Sequence, residues 1–487
     1  MSTTEIARST GVAVSDSAHT EGKPSGFEAA YPSKTALAVK LLAFYIFLVV
    51  SRVLDVSPIW FLHIPMILLI TLILSMFFRG DLRTIFSSNI SRWFIGFTVW
   101  VVLCLPLSTW RGTSLHSVQE ALQALAIFLI IVQTVKNESE WRKITGAYAY
   151  AVLVASLLSF VLGRMVEGRI SLLNGSLADP NEFALILVVG LPFWWLKASR
   201  SGGPRKIFSL LCTIPIFIVF ARTGSRSGLI ALCALFGVVM LFAKPAQKLL
   251  IAMLAVCVVA GGALFLPEYL KVRFTTLFTR HAEDRLDWQT RERLAGDIGS
   301  SEGREMLLIQ SIKMTFEHPV FGVGPGVFAS ASWDERKNQT GSGGTLLVSH
   351  NTYTQISSET GLPGFFLFVT TLGLCLTYAV SDYRRAKRIN PDLAKNEFYL
   401  LASLTALSVG IFFLSVGYTH TLAVMFALSA CLHRIPKESE KKKLTETDGS
   451  GLEVPAKGAP VIRAKTTPQA PVPEVRNPGR FRSLRRF

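Results

Sequence analysis

The chain has 487 residues, of which 50% are hydrophobic and 17% are charged, and its formal net charge at pH 7 is +17. A soluble domain carries roughly 25% charged residues, so this composition argues against a soluble protein. Much of the cationic excess lies in loops beside apolar segments and in the C-terminal tail, where membrane orientation and anionic lipids account for it. Binding to nucleic acid is therefore not expected.

Blocks of roughly 15 to 22 apolar residues recur along the chain, and each can cross a hydrocarbon core of roughly 30 Å. They predict transmembrane helices at about 35–53, 58–78, 93–109, 117–134, 143–163, 182–197, 206–221, 226–243, 247–266, 363–380, 397–416 and 419–433. The sixth and the last are short, so we predict about twelve helices, with a range of ten to twelve. The predicted fold class is an all-α polytopic membrane protein, surrounded by membrane lipids.

Lysine and arginine are distributed unevenly between alternate short loops. The loops on the side of the N-terminus are rich in both, whereas the short loops on the other side hold a few arginines and no lysine. The positive-inside rule then places both termini in the cytoplasm. Residues 267–362 become a large periplasmic loop with short helices, between nine helices in 35–266 and three in 363–433. The segments 1–34 and 434–487, the latter basic and rich in proline, are predicted to be disordered.

Two short outer segments contain residues suited to substrate binding. In SLADPNEFALIL, Pro180 disfavours a helical conformation at Asp179, so Asp179 or Asn181 either caps the next helix or contacts substrate. In ARTGSRSGLIAL, Arg222 and Arg226 flank a Gly-Ser turn between two spans. Free backbone N–H groups beside arginines suit a phosphate, although arginines can also reach lipid headgroups.

The large outer loop contains GREMLLIQSIKMTFEHPVFGVGPGVF, from Gly303 to Phe328. Arg304 is predicted to open an amphipathic helix, whose apolar stripe lies along the membrane or packs on the bundle. A turn with Gly322, Gly324 and Gly326 follows, and glycines would allow the backbone to approach a ligand closely.

His350 and Asn351 stand at the entrance to the next predicted span. A lone histidine is more often structural than catalytic, and this position close to a glycine-rich segment strengthens the case for catalysis only modestly. His318, His281 and His420 are lesser candidates. The six cysteines lie inside or beside apolar blocks and indicate neither a disulfide framework nor a metal site.

Three of these segments together resemble the O-antigen ligase and O-antigen polymerase superfamily. They are SRSGLIAL in the hairpin of spans, Gly-Arg with PVFGVG in the long loop, and HNTYTQISSETG before the next span. The resemblance covers about Asp179 to Tyr378, and its most specific motif is the one that contains His350.

The resemblance implies a multi-pass bacterial inner-membrane glycosyltransferase whose active site faces the periplasm. The donor would be an undecaprenyl-diphosphate-linked glycan, and the acceptor a saccharide, either lipid A-core or a growing polysaccharide. Arg226, Arg304 and His350 are the expected catalytic residues. The expected substrate-binding residues are Arg222, Ser225, Asn181 and Asn351.

The expected catalytic residue types suit this reaction on chemical grounds. Arginines can stabilise a diphosphate leaving group in place of a metal cation. A neutral imidazole can take the proton of a sugar hydroxyl. The outer loops contain no Asp-x-Asp motif, so we predict a metal-independent enzyme without a cofactor.

Several alternatives stay open at this level. An O-antigen or exopolysaccharide polymerase would use the same donor but join carrier-linked repeat units, and a protein-directed oligosaccharyltransferase is also possible. A lipid-linked sugar transporter is a weaker alternative, because transporters usually place ionisable groups at mid-membrane. Here Glu120, Glu182 and Glu397 lie near the starts of spans. A metal-dependent transferase using Asp55 is the weakest alternative.

Overall fold

The computed structural model describes residues 33–57, 60–78, 82–166, 168–172, 175–243, 245, 248–249, 252–253, 267–275, 288–340 and 346–449. The chain divides into one unit from Met1 to Glu438 and a second from Ser439 to Phe487. The described part of the second unit is the end of the last helix.

Helices account for most of the described residues. The α-helices are α1 (Ser33–Ser51), α2 (Ile64–Phe78), α3 (Asn89–Cys104), α4 (Arg111–Thr134), α5 (Glu138–Leu162), α6 (Pro180–Arg200), α7 (Gly203–Leu211), α8 (Thr213–Thr223), α9 (Arg226–Phe242), α10 (Glu268–Thr275), α11 (Trp288–Glu317), α12 (Phe328–Thr340), α13 (Thr352–Ile389), α14 (Pro391–Gly410) and α15 (His420–Gly449). Short 3₁₀ segments extend several of them, among them Leu105–Leu107 and Ile411–Phe413.

Seven helical segments of the described chain are long and apolar enough to cross a membrane: Asn89–Leu107, Arg111–Thr134, Glu138–Leu162, Pro180–Arg200, Gly203–Thr223, Thr352–Ile389 and Pro391–Phe413. Four shorter apolar helices accompany them, at Ala36–Ser51, Ile64–Phe78, Arg226–Phe242 and His420–Ile435. These segments coincide with eleven of the predicted spans. The remaining one, 247–266, lies almost entirely outside the described residues. The chain is a multi-pass membrane protein.

Helix α6 packs at the centre of the bundle. Gly190 allows it to approach α5 closely, since a Cβ at this position would lie 2.6 Å from Val152. The buried indole N–H of Trp194 donates to the carbonyl of Ala149 at 2.9 Å. This pairing matters because an unpaired polar group costs several kcal/mol in a hydrocarbon environment.

Polar contacts join connecting segments at opposite ends of the bundle. At one end, Thr109 Oγ1 donates to the carbonyl of Val323 at 3.1 Å, which joins the α3–α4 connection to the long loop. At the other end, Arg200 pairs with Glu138 at 2.7 Å and donates to the carbonyl of Asp392.

Three details differ from the predicted architecture. A small antiparallel hairpin, β1 (Arg164–Val166) and β2 (Arg169–Ser171), interrupts the helices, and its second strand is buried. Helix α11 begins at Trp288, so Arg304 lies within it and does not open it. Helix α15 continues to Gly449, past the predicted start of disorder at 434. The segments 1–32 and 450–487 lie outside the described residues.

Candidate active site

The tip of the α8–α9 hairpin places Arg226 at the first residue of α9. Gly224 ends α8 in the left-handed conformation, with φ of 57°, which glycine adopts without steric cost. Ser225 caps α9, and its hydroxyl oxygen accepts a 3.1 Å hydrogen bond from the N–H of Gly228. One of the N–H groups predicted to be free for phosphate is therefore already paired.

Two buried arginines hold the carbonyl groups of this tip. Arg169 donates from Nε to the carbonyl of Thr223 and from Nη2 to Asn181 Oδ1, both at 2.7 Å. The hydroxyl of Ser225 donates to the same Asn181 oxygen at 2.9 Å. Arg273 on α10 donates from Nε to the carbonyl of Gly224 at 2.7 Å. The tip is fixed by charge-assisted hydrogen bonds in a buried setting.

A break in α13 organises the long loop. Gly361 has φ of 71° and interrupts the helix, which frees the preceding carbonyl groups from intrahelical bonding. The carbonyls of Ser358 and Glu359 accept from the N–H groups of Val323 and Gly324, at 2.9 and 3.0 Å. The glycine-rich turn is thereby attached to α13 by backbone hydrogen bonds, as burial of a broken helix requires.

The three glycines of the turn allow neighbouring parts of the chain to pack closely against its backbone. A Cβ at Gly322 would lie 2.3 Å from the Glu359 backbone, and one at Gly326 would lie 1.9 Å from Ser117 Oγ. Gly324 is similarly close to a serine on the α3–α4 connection. The predicted close approach is thus present, but its partners are α13, α4 and the loop before α4.

Glu359 is a buried residue of the site that the sequence analysis missed. Its carboxylate accepts from the N–H groups of Gly326 at 2.8 Å and Phe328 at 3.4 Å. The hydroxyl of Tyr418 donates to it at 2.9 Å, and the amide of Gln355 at 3.5 Å. The carboxyl group therefore serves as a shared acceptor for the glycine-rich turn and the segment before α15. The available signal was a glutamate two residues before a glycine at the start of an apolar run.

His350 and Asn351 form the entrance to α13. Asn351 caps the helix, and its Oδ1 accepts from the N–H groups of Tyr353 at 2.9 Å and Thr354 at 3.2 Å. His350 has a left-handed backbone, with φ of 52°. Such a conformation in a non-glycine residue is uncommon and clusters at functional sites.

One cavity of about 370 Å³ brings the three predicted catalytic residues together. Arg226 on α9, Arg304 on α11 and His350 before α13 all line it. The other lining residues are Ser227, Ile230, Glu305, Leu308, Ser349, Asn351, Phe412 and Phe413. We refer to it as the arginine cavity.

The charges in this cavity influence one another. The pKa of Arg304 is lowered, first by burial and then by the Arg226 guanidinium, while Asp179 acts in the opposite direction. The pKa of His350 is lowered below its ordinary 6.5, first by burial and then by Arg304, again opposed by Asp179. Burial and a like charge both disfavour the protonated form, so the imidazole is neutral at pH 7.

The remaining predicted substrate-binding residues are arranged differently. Asn351 lines the arginine cavity. Asn181 and Ser225 belong to the buried network of the hairpin tip, and Arg222 is exposed on the last turn of α8; none of the three lines this cavity. Their substrate roles stay predictions, although a structural role now accounts for Asn181 and Ser225.

The lesser candidates lie elsewhere. His318 is exposed at the end of α11, and His281 lies outside the described residues. His420 lines a different cavity. Asp55 forms an ion pair with Arg52 at 3.1 Å. Within the described part of the chain, no three histidine, cysteine or acidic side chains lie together as metal ligands.

Residues 208–369 match the protein-family model described as O-Antigen ligase. The chain is similar to that family over this segment. The predicted resemblance to that superfamily is therefore confirmed. The matched segment contains all three residues that share the arginine cavity, whereas Asn181 precedes it. No curated protein matches the chain.

Proposed function

We propose that this protein transfers a glycan from an undecaprenyl-diphosphate carrier to a saccharide acceptor at the periplasmic face of the inner membrane. The observation that carries the proposal is the shared cavity of Arg226, Arg304 and His350. These residues belong to three separate elements, and only the fold brings them to one place. Two cations and a neutral base in one cavity suit a reaction in which a phosphate ester leaves and a hydroxyl attacks.

The two arginines would bind the diphosphate. Arg226 and Arg304 are close enough for like-charge repulsion to lower the pKa of Arg304, and a bound dianion would relieve that repulsion. Guanidinium groups stay ionised and bind two phosphate oxygens at once. They would stabilise the negative charge that develops when the anomeric C–O bond breaks.

His350 would act as the general base. Its neutral imidazole takes the proton of the acceptor hydroxyl, whose oxygen forms a bond to the anomeric carbon. The bond from that carbon to the diphosphate breaks, and its electron pair leaves with the phosphate oxygen. A direct displacement of this kind inverts the anomeric centre.

The apolar residues of the arginine cavity suit the lipid carrier. Ile230, Leu308, Phe412 and Phe413 line it beside the arginines. A cavity with cations and an apolar wall matches an amphiphile with an anionic head and a hydrocarbon tail. The cations compensate for the water that the head loses, and the apolar wall contacts the tail.

A polymerase that joins carrier-linked repeat units would use the same cavity, and it remains the alternative. A mutant of a ligase accumulates uncapped lipid A-core, whereas a mutant of a polymerase makes single repeats. Analysis of glycan length in a strain that lacks this protein distinguishes the two.

The proposal is tested by reconstitution. Purified protein in lipid nanodiscs should form product from carrier-linked glycan and acceptor, without ATP, without an ion gradient and with EDTA present. Product that requires a gradient would favour the transporter, and product that EDTA abolishes would contradict the metal-independent mechanism.

A further inference from the structure

We infer that a second cavity, beside the arginine cavity, binds the acceptor saccharide. It measures about 200 Å³ and lies between α4, the start of α13 and the turn before α15. Its polar lining includes Ser117, Glu120, Ser349, Gln355, Ser415 and Thr419. We call it the polar cavity, and its assignment to the acceptor rests on the proposed function.

The two cavities differ in charge. The arginine cavity contains Arg226, Arg304 and His350, whereas neither lysine nor arginine is among the described residues that line the polar cavity. Its acidic side chains are Glu120 and Glu359. An anion such as diphosphate is disfavoured next to carboxylates, while the hydroxyl groups of a sugar can donate to them.

Ser349 joins the two cavities. It lines both of them, and it directly precedes the candidate base His350. Its hydroxyl donates to the carbonyl of Asn351 at 3.1 Å. The same hydroxyl forms a 3.0 Å hydrogen bond with the hydroxyl of Ser415. A sugar in the polar cavity would therefore lie next to the residue that must receive its proton.

Glu120 is the polar-cavity residue best placed to contact a ligand. It lies in the third turn of α4, within a candidate span, yet 48% of its side chain is accessible. The accessibility is explained by the polar cavity and by a third cavity of about 250 Å³, which Glu120 also lines. An ionisable group in a span that faces a cavity is a candidate for a functional role.

The neighbouring space provides room for more than one sugar. The third cavity shares Tyr418 and Thr419 with the polar cavity, in addition to Glu120. The terminal sugar of an acceptor could occupy the polar cavity, with the next sugar in the third. Gln355 and Glu359 already form hydrogen bonds within the protein. The nearest recorded partner of Glu120 is His116 Nδ1, at 3.8 Å and beyond hydrogen-bond distance, so we expect Glu120 to provide most of the selectivity.

Binding assays in nanodiscs test the inference with two separate probes. The first probe is a fluorescently labelled oligosaccharide, either core oligosaccharide or repeat unit, released from the glycolipids of the host. The second is undecaprenyl diphosphate. Glu120→Gln should weaken saccharide binding by about tenfold or more, the loss expected for a hydrogen bond to a charged group, and leave undecaprenyl diphosphate binding unchanged.

Matched variants separate the polar cavity from general damage. Ala329→Phe, which fills the polar cavity, should have the same selective effect as Glu120→Gln. Arg304→Ala should weaken only the binding of undecaprenyl diphosphate. Glu317→Gln and Asn338→Phe, at exposed positions of α11 and α12, should change neither. Which of the two oligosaccharides binds more tightly identifies the source of the acceptor.

The inference is overturned if neither oligosaccharide binds wild-type protein, or if Glu120→Gln and Ala329→Phe bind saccharide normally. An equal loss of both probes in these two variants would also overturn it. Saccharide binding without any transfer by wild-type protein would instead refute the proposed function and leave the saccharide site standing.

Discussion

The carboxylate of Glu359 accepts a 2.8 Å hydrogen bond from the backbone N–H of Gly326. This contact joins the glycine-rich turn after α11 to the start of α13, so it couples the elements that carry Arg304 and His350. We therefore expect the geometry of the arginine cavity to depend on this contact, although Glu359 does not line that cavity.

Replacing Glu359 by Ala should destabilise the protein strongly. Gly326, Phe328 and Tyr418 would lose their acceptor, and each unsatisfied buried donor costs about 1–3 kcal/mol. A fall in the temperature of unfolding in detergent measures this, with the exposed Glu317→Ala as control. An unfolding temperature equal to that of the control would contradict the structural role of Glu359.

Gly361→Ala should lower both stability and transfer. The residue has φ of 71°, and a Cβ there would lie 2.1 Å from the carbonyl oxygen of Val320; the backbone strain alone costs about 1–3 kcal/mol. Gly373→Ala on the same helix is the matched control, because a Cβ there meets nothing within 4 Å. The unfolding temperature and the transfer rate of the two variants are compared. Equal values would show that the break in α13 is not required for stability or for transfer.

Arg226 and Arg222 should behave differently although they flank the same turn. Arg226 lines the arginine cavity, whereas Arg222 is exposed and does not. Arg226→Ala should weaken undecaprenyl diphosphate binding by about tenfold or more, as expected for a charge-assisted contact, and Arg222→Ala should leave it nearly unchanged. The reverse order would place the diphosphate on the other side of the hairpin tip.

The pH dependence of transfer should report His350. A general base is active when neutral, and burial and Arg304 lower its pKa below 6.5, so activity should persist below that pH and fall only in more acidic solution. In Arg304→Gln the positive neighbour is gone, so the acid limb of the residual activity should move to higher pH. Asp179, Glu305 and Arg226 also lie at or near this cavity, and an unmoved acid limb would assign the titration to another group.

Much of the bundle follows from local patterns. Apolar blocks are long enough to predict spans one by one, and eleven of them coincide with apolar helices. The Gly-Ser tip with Arg226 was also predictable, because left-handed C-caps and serine N-caps are local devices.

The meeting of distant residues was not predictable from local patterns. His350 and Arg304 were singled out by residue type and by family resemblance, but their shared cavity depends on how α9, α11 and α13 pack. Glu359 was missed because its role depends on a turn more than thirty residues earlier in the chain. Arg169 is one of the few arginines in the short lysine-free loops, but its role was not predictable, since it lies on an unpredicted hairpin and pairs with Asn181 beyond it.

The most direct test of the central claim uses His350→Ala in nanodiscs, with undecaprenyl-diphosphate-linked glycan and acceptor supplied together. Donor binding and product formation are measured on the same preparation. The account predicts donor binding like that of wild-type protein and no glycan transfer. Transfer at the wild-type rate would remove His350 from the chemistry and contradict the account.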